Sequence, residues 1–190
     1  MQRILIIGAT GTVGGLVLSQ LQVTGAPVRA LVRNPDAARF PPQVEVARGD
    51  LTLPETLDAC LDGIDTVFLV WVAPAAAVAP ALERIVKHAR RIVFLSAPLK
   101  TPHPFFQQPN PARKIGEQIE RLIETSGLQW TFLRPGMFAG NALGWWAPQI
   151  RTGDLVRWPH LAAPTAPIDE RDVAAVRALC EEGMLERNMF

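Results

Sequence analysis

Short apolar runs alternate with amphipathic segments along most of the chain. Six runs rich in Val, Ile, Leu and Phe are apolar at nearly every position, which is typical of strands buried on both faces. The predicted strands are Ile4–Ile7, Val28–Val32, Val44–Ala47, Thr66–Val70, Ile92–Leu95 and Trp130–Leu133. Between them, apolar residues recur at spacings of three and four, which predicts helices. The helical segments are Val13–Val23, Pro54–Leu61, Ala75–Ala89 and Ala112–Thr125, with a short turn near Asp36–Arg39.

This alternation of strand and helix predicts the fold class. Strands joined by helices run parallel, and right-handed crossovers place the helices on both faces of the sheet. We therefore expect an α/β fold with a doubly wound parallel sheet in three layers, as a single domain over residues 1–190. The composition agrees, because 190 residues with 48% hydrophobic and 19% charged side chains suit one globular domain.

The regular pattern loosens in the second half of the chain. Five prolines lie from Pro98 to Pro111, which predicts a loop over the carboxyl edge of the sheet, with a plain connector as the alternative. Three tryptophans lie among Gly and Pro residues further on, and we interpret residues 136–167 as a loop region that forms a substrate-pocket wall. A last helix, capped by Asp169 or Asp172, is predicted to run to about Glu182.

Charge and side-chain chemistry exclude several classes of protein. Nineteen basic and eighteen acidic residues give a formal net charge of +1 without blocks of like charge, so a nucleic-acid partner is not expected. Cys60 and Cys180 lie in helical segments, which favours free thiols in a reducing cytoplasm over a disulfide framework. None of the three histidines stands at metal-ligand spacing, so no metal is expected.

No membrane segment or signal peptide is predicted either. The longest uncharged run, Thr66–Leu82, contains two prolines and is shorter than the ~20 apolar residues of a membrane helix. The amino terminus opens directly into the first strand rather than into a signal peptide. We therefore expect a cytoplasmic protein whose partner is a small molecule.

A glycine-rich segment joins the first strand to the first helix. Residues 8–14 read GATGTVG, and this context predicts a dinucleotide site at the helix N-terminus. Gly8 permits the tight turn, Gly11 lets the backbone approach a pyrophosphate, and Gly14 permits close packing of helix and strand. The alternative is that the glycines form only a turn. The candidate residues in this segment are Gly8, Thr10, Gly11, Thr12, Val13 and Gly14.

Arg33 stands at the end of the second strand, 19 residues beyond Gly14. A chain selective for NAD is expected to carry Asp or Glu there, whereas a guanidinium would bind a ribose 2′-phosphate. The sequence therefore favours NADP(H) over NAD, with Arg29 or Asn34 as possible helpers. An ordinary surface arginine is the alternative, and Asp36 could serve NAD.

Two further pairs of candidate cofactor-binding residues follow strands. Asp50 and Leu51 come after the third strand, where the adenine ring is expected. Val70 ends the fourth strand and Trp71 follows it, on the expected path of the ribose and nicotinamide. Asp50 as a simple turn residue and Trp71 as a core side chain remain open alternatives.

Five blocks of sequence together resemble the NmrA-like group of atypical short-chain dehydrogenases/reductases. The blocks are Ile6–Gly14, Val28–Arg33, Gly49–Leu51, Trp130–Gly136 with Asn141, and Ile168–Ala174. They follow one another in order over nearly the whole chain. The resemblance implies a Rossmann domain that binds NAD(P).

The same resemblance raises a question about catalysis. Ordinary members of the superfamily use a Tyr and a Lys four residues later, but this chain contains no tyrosine. The two positions fall on Ala112 and Gly116. Ser96 stands where the superfamily has its substrate-polarising serine, and it is our candidate catalytic residue. Lys114 is expected to be solvated, and His103 is a weaker candidate proton donor.

The carboxyl end departs from the resembled group as well. Its members continue past the last helix with a further strand and a substrate-binding region, whereas only Leu185–Phe190 follow here. We therefore expect the lid to be missing, which would leave the site open to water and expose apolar surface that favours a homodimer.

Three hypotheses follow for function. The first is an NADP(H)-binding oxidoreductase that passes hydride to a small apolar or aromatic substrate, lined by Trp71, Trp145, Trp146 and Met137, with Ser96 or solvent handling the proton. The second is a non-enzymatic sensor of NADP(H) that changes its association with a protein partner. The third is an inactive remnant.

Overall fold

A sheet of seven parallel strands forms the centre of the structure, a computed structural model that describes residues 2–98, 111–158, 166–175 and 187–189. In chain order the strands are β1 (Ile4–Ile7), β2 (Val28–Val32), β3 (Glu45–Arg48), β4 (Thr66–Val70), β5 (Arg91–Leu95), β6 (Gln129–Leu133), β7 (Met137–Phe138), β8 (Pro167–Ile168) and β9 (Arg187–Met189). The central sheet has the order β3-β2-β1-β4-β5-β6-β9, while β7 and β8 pair in a separate small parallel sheet. The order reverses between β1 and β4, where doubly wound sheets open a crevice at their carboxyl edge.

Helices cover both faces of the central sheet. They are α1 (Thr12–Val23), α2 (Leu57–Leu61), α3 (Val78–His88), α4 (Pro111–Glu124), α5 (Asn141–Trp145), α6 (Ala147–Thr152) and α7 (Glu170–Ala175). Because side chains alternate along a strand, Ile4 and Ile6 pack with α1 and α7, whereas Leu5 and Ile7 pack with α2, α3 and α4. The doubly wound three-layer fold predicted from the sequence is therefore confirmed.

The six predicted strands are all present, with ends shifted by at most one residue. The predicted helices that begin at Pro54 and Ala75 each open with a short 3₁₀ turn, Pro54–Thr56 and Ala75–Ala77, before the α-helix proper. The proline-rich stretch 99–110, His103, Cys180 and the predicted helical residues 176–182 lie outside the described residues. Within the described ranges, no helix is both long and apolar enough to cross a bilayer.

Part of the region predicted as a loop is instead structured. Residues 136–158 contain β7 and the two short helices α5 and α6, and the backbone N–H of Ala139 donates to the carbonyl of Ile168 at 2.9 Å. Helices of five and six residues are too short to show a periodic pattern, so they could not be predicted from hydrophobic spacing. The segment is thereby anchored to the chain that leads into α7.

The sequence analysis suggested that Arg29 could help Arg33 to bind a 2′-phosphate, but the structure places Arg29 elsewhere. Its side chain is buried, and Nη1 donates to the carbonyls of Cys60 at 2.7 Å and Asp62 at 2.9 Å, while Nη2 pairs with Glu45 at 2.7 Å. Arg29 lies four residues before Arg33, about 13 Å along the strand at ~3.3 Å per residue. Its guanidinium ties β2 to β3 and to the end of α2.

Cys60 on α2 is buried, and its thiol contacts the carbonyl oxygens of Arg48 at 3.2 Å and Thr56 at 3.3 Å. Burial raises the pKa of this thiol, and the nearby charge of Arg29 opposes the shift. Because the thiolate is the reactive species, Cys60 is expected to be inert in the folded protein.

We expect a Cys180→Ser variant to react with an aromatic disulfide reagent only as fast as the protein unfolds. The measurement is the absorbance of released thiolate in buffer and in rising urea. Stoichiometric labelling within seconds in buffer would show that Cys60 is accessible, and a Cys60→Ser/Cys180→Ser variant sets the background.

Candidate cofactor site

The turn between β1 and α1 is built for close approach of backbone to backbone. Gly8 has φ +89°, a conformation that side chains other than glycine rarely adopt, and a Cβ there would lie 2.8 Å from Cβ of Val70. A Cβ on Gly14 would clash with the carbonyl oxygen of Gly8 and lie 2.8 Å from its carbonyl carbon. Both glycines are therefore required for α1 to begin directly against the end of β1.

The N-terminus of α1 carries no side-chain cap. Gly11 is the N-cap residue, no side chain accepts from the first turn, and no acidic residue lies in that turn. The first N–H groups of a helix have no intrahelical acceptor, and the helix dipole adds partial positive charge there. This end of α1, where Thr12 and Val13 stand, is therefore suited to an anionic group.

A cavity of about 390 Å³ opens beside this turn at the carboxyl edge of the sheet. Its walls come from the ends of β1, β2 and β3 and from the residues after β4. Five of the predicted cofactor-binding residues line it together, namely Gly8, Thr10, Arg33, Asp50 and Leu51. The remaining glycine-loop candidates form the adjoining start of α1.

Arg33 is exposed at the rim of this cavity. Among the described residues, its guanidinium has no hydrogen-bond or ion-pair partner. Asn34, beside it, also lines the cavity, and its Oδ1 accepts from the backbone N–H of Asp36 at 3.2 Å. Asp36 does not line the cavity, which weighs against its suggested role with NAD.

Asp50 faces the same cavity from the end of β3. Its Oδ1 accepts from the backbone N–H and from the hydroxyl of Thr52, both at 2.8 Å. These hydrogen bonds hold the pKa of Asp50 below its usual value, and the charge of Arg33 lowers it further. Asp50 therefore contributes a negative charge to the cavity that Arg33 also lines.

Val70 and Trp71 lie outside the walls of this cavity. Val70 packs beneath Gly8, and Trp71 is half-buried against the core, where its Nε1 donates to the carbonyl of Ala73 at 2.6 Å. The wall on this side comes from residues 72–74, directly after the two residues that the sequence analysis chose as candidates. Their only signal in the sequence is position, directly after a buried strand.

Ser96 lies where β5 ends, at the same carboxyl edge. Its backbone N–H donates to the carbonyl of Leu133 at 2.7 Å, next to the end of β6. Its hydroxyl is buried and has no hydrogen-bond partner among the described residues. A buried hydroxyl of this kind can donate to an oxygen of a bound molecule.

The first half of α4 supplies no tyrosine or lysine at the two positions that the resemblance implies, which hold Ala112 and Gly116. Lys114 is exposed and lies with Glu117 and Arg121 in a groove against α3, in agreement with the expectation that it is solvated. The proton-transfer pair of the superfamily is therefore absent from this part of α4.

A buried ion pair, which sequence reasoning missed, supports the end of β6. Glu120 on α4 is 3% exposed and accepts from Arg134, from Nε to Oε1 at 2.9 Å and from Nη2 to Oε2 at 2.6 Å. These hydrogen bonds raise the pKa of Arg134, whose guanidinium also lies 5.4 Å from the ring centre of Phe132. The pair holds α4 to the strand end beside Ser96.

Three tryptophans form a cluster in the segment after β7. The ring centre of Trp158 lies 4.9 Å from that of Trp145 and 5.5 Å from that of Trp146. Trp71, which was expected to line a pocket with Trp145 and Trp146, makes no ring contact with this cluster among the described residues.

The residues at the carboxyl edge fit a dinucleotide. The turn is free of side chains where a pyrophosphate would lie, the helix end is uncapped, and a cation stands at the cavity rim. Such a group would be held by the N–H groups at the start of α1, with Arg33 and Asp50 facing the rest of it.

Comparisons with known proteins agree with this geometry. Residues 8–178 match the model of a family described as NAD(P)H-binding. A (4-alkanoyl-5-oxo-2,5-dihydrofuran-3-yl)methyl phosphate reductase of Streptomyces griseus is 37% identical over 91% of this chain. An NAD(P)H azoreductase of Xenophilus azovorans is 36% identical over 95% of it. The chain spans 61% and 64% of the length of these two relatives.

A solved structure with the same fold is an NADPH-dependent quinone oxidoreductase of Escherichia coli. It superposes with a TM-score of 0.81 at 23% identity, over 98% of this chain and 66% of that one. At this identity the likeness speaks for the fold alone.

Proposed function

The chain belongs to the NAD(P)H-binding family, of the NmrA-like atypical short-chain dehydrogenase/reductase type, and from this we propose that it is an NADP(H)-dependent reductase. The observation that carries the choice of NADP(H) is the guanidinium of Arg33, which has no partner among the described residues and lies at the rim of the cavity beside the uncapped end of α1. A phosphate on the adenosine ribose would give this cation a dianionic partner. The reductase names of both curated relatives support the reaction type.

The nicotinamide supplies hydride chemistry when the cofactor is bound. The residues of this chain then bind and orient the cofactor and the substrate. The N–H groups at the start of α1 hold the pyrophosphate, and Arg33 holds the 2′-phosphate. The buried hydroxyl of Ser96 donates a hydrogen bond to a substrate oxygen. Since Ala112 and Gly116 carry no proton donor, solvent supplies the proton.

The substrate we propose is a small apolar or aromatic molecule. Without a tyrosine to protonate an alkoxide, the reaction favours acceptors that stabilise added charge themselves, such as conjugated or quinone-like systems. The azoreductase similar to this chain is named for an acceptor of that kind.

A second candidate function is a non-enzymatic sensor of NADP(H). The absence of proton-transfer side chains at Ala112 and Gly116 favours it. A sensor would exchange protein partners between NADP⁺ and NADPH in a pull-down experiment. Partners that ignore the redox state of the cofactor, together with NADPH oxidation by an added quinone, would exclude the sensor.

Replacing Arg33 by alanine is expected to weaken NADPH binding by about 2 kcal/mol, about 30-fold, because one charge-assisted bidentate contact is lost. NADH lacks the 2′-phosphate, so its affinity stays unchanged. Isothermal titration calorimetry with both nucleotides measures the difference.

Arg48→Ala is the matched control for this experiment. Arg48 is exposed at the end of β3 in register with Val32, so its removal takes the same charge from the neighbouring strand without altering the cavity wall. Equal loss of NADPH affinity in both variants would show that Arg33 acts only through its charge at long range and makes no direct contact with the 2′-phosphate. Binding of neither nucleotide by the wild type would overturn the proposed function.

A further inference from the structure

The tryptophan cluster contains a polar atom that the fold leaves unsatisfied. The indole Nε1 of Trp146 is buried and has no hydrogen-bond acceptor among the described residues. Buried indole N–H groups normally find a partner, because leaving one unpaired is costly. The Trp146 N–H therefore lacks a hydrogen-bond acceptor, and a bound molecule can supply one.

The three rings of the cluster present aromatic surface in two orientations. Trp158 is tilted by 34° against Trp145 and lies edge-on to Trp146, at 87°. Trp145 keeps 40% of its surface exposed, and aromatic surface of this kind favours offset stacking with another ring. Leu143 on α5 and Ile150 on α6 are further exposed apolar side chains of this segment.

Gln149 holds the two sides of the cluster together. Its Nε2 donates to the carbonyl of Trp145 at 2.8 Å, and its Oε1 accepts from the backbone N–H of Arg157 at 2.8 Å. The residue after Arg157 is Trp158, so this one amide fixes the spacing between the rings of Trp145 and Trp158. The positions of these rings are therefore set by specific hydrogen bonds and not by apolar contact alone.

The segment that carries the cluster leaves the central sheet at its carboxyl edge. Its segment starts after β6, whose last residue, Leu133, accepts the backbone hydrogen bond from Ser96. The segment is then anchored through β7, which pairs with β8. The tryptophans therefore belong to the segment that leaves the sheet at its carboxyl edge, beside Ser96, whose hydroxyl has no partner among the described residues.

We propose that Trp145, Trp146 and Trp158 bind a planar aromatic molecule that accepts a hydrogen bond from the Trp146 indole N–H. A carbonyl oxygen or an azo nitrogen on the aromatic system is the required acceptor. In the reductase proposed above this molecule is the hydride acceptor, so the assignment of substrate class rests on that function. Trp146 is then the specificity-determining donor, and Gln149 is a positioning residue.

The test uses two matched probes without any nucleotide present. These are 2,3-dimethyl-1,4-naphthoquinone and 2,3-dimethylnaphthalene, which share ring and methyl groups and differ in the carbonyl oxygens. In protein with ¹⁵N-labelled indoles, the quinone is expected to move the Trp146 N–H proton downfield, and the hydrocarbon is not. Absence of this shift at saturating quinone, or failure of both probes to bind, overturns the proposal.

Three variants separate the hydrogen bond from the aromatic surface. Trp146→Phe keeps a ring but loses the donor, and is expected to weaken the quinone by about 3- to 10-fold while leaving the hydrocarbon unchanged. Gln149→Leu releases Trp158 and is expected to weaken both probes. Trp130→Phe alters a tryptophan stacked on Phe132 in the sheet, outside the cluster, and is expected to change neither. Equal quinone affinity in wild type and Trp146→Phe overturns the proposal.

Kinetics with NADPH distinguish failure here from failure of the proposed function. If the quinone binds at Trp146 but never oxidises NADPH, the aromatic site stands and the reductase assignment falls. If NADPH is oxidised and Trp146→Phe leaves the KM for the quinone unchanged, the reductase stands and the aromatic site falls. The result expected if both are right is a raised KM in Trp146→Phe.

Discussion

Replacing Arg134 by methionine is expected to lower the free energy of unfolding by about 3–5 kcal/mol, the usual cost of removing one partner from a buried ion pair. Glu120 is 3% exposed and takes both of its side-chain hydrogen bonds from Arg134. Without the guanidinium its carboxylate would be buried without a counter-charge. Urea unfolding followed by circular dichroism measures the loss.

A double-mutant cycle identifies the origin of this effect. Glu120→Leu combined with Arg134→Met removes both charges, so the double variant is expected to be more stable than Arg134→Met alone. Arg171→Met breaks an ion pair with Asp169 in which the arginine is exposed and the aspartate partly exposed, and is expected to leave stability nearly unchanged. A loss in Arg134→Met no larger than in Arg171→Met would show that Glu120 reaches water.

Replacing Gly14 by alanine is expected to abolish measurable NADPH binding and to destabilise the fold by about 1–3 kcal/mol, as overpacking does. The new Cβ would lie against backbone, 2.8 Å from the carbonyl carbon of Gly8 and 3.2 Å from the nitrogen of Ala9, and backbone cannot move aside as a flexible side chain can. The start of α1 must shift, and the N–H groups proposed to hold the pyrophosphate shift with it. Calorimetric titration and urea unfolding measure the two effects.

Gly144→Ala controls for helix propensity, since a Cβ at Gly144 on α5 meets nothing within 4 Å. Alanine there is expected to keep NADPH affinity and to stabilise slightly, because alanine is the better helix former. If Gly14→Ala behaved like Gly144→Ala, the close approach of α1 to the β1 turn would not be needed for binding.

The sequence predicted those features whose causes are local. A strand that is apolar at every position and a glycine-rich turn are each recognisable within about ten residues. β1, α1 and the turn between them could therefore be predicted from the sequence. Arg29 shows the limit. It shares a strand face with Arg33, and only its axial position along β2 and the carbonyls of Cys60 and Asp62 decide that it serves packing rather than the cavity.

Features that depend on distant or short segments were not predictable. The pairing of Glu120 with Arg134 needs the packing of α4 on β6, which no local pattern encodes. The helices α5 and α6 form because neighbouring segments stabilise them, and the contacts of Trp158 follow from their placement. Val72, Ala73 and Pro74 line the cavity only because the chain turns after β4.

The missing cap at Gly11 has an evolutionary consequence. Serine or aspartate at this position would satisfy the first N–H groups of α1 and stabilise the helix, but would occupy the groups that an anion needs. Glycine forgoes only a few tenths of a kcal/mol, about 0.3, relative to those better caps. A mutation of Gly11 to a better N-cap would therefore weaken the proposed cofactor binding for a very small gain in stability. Selection for that binding alone is enough to keep glycine at this position.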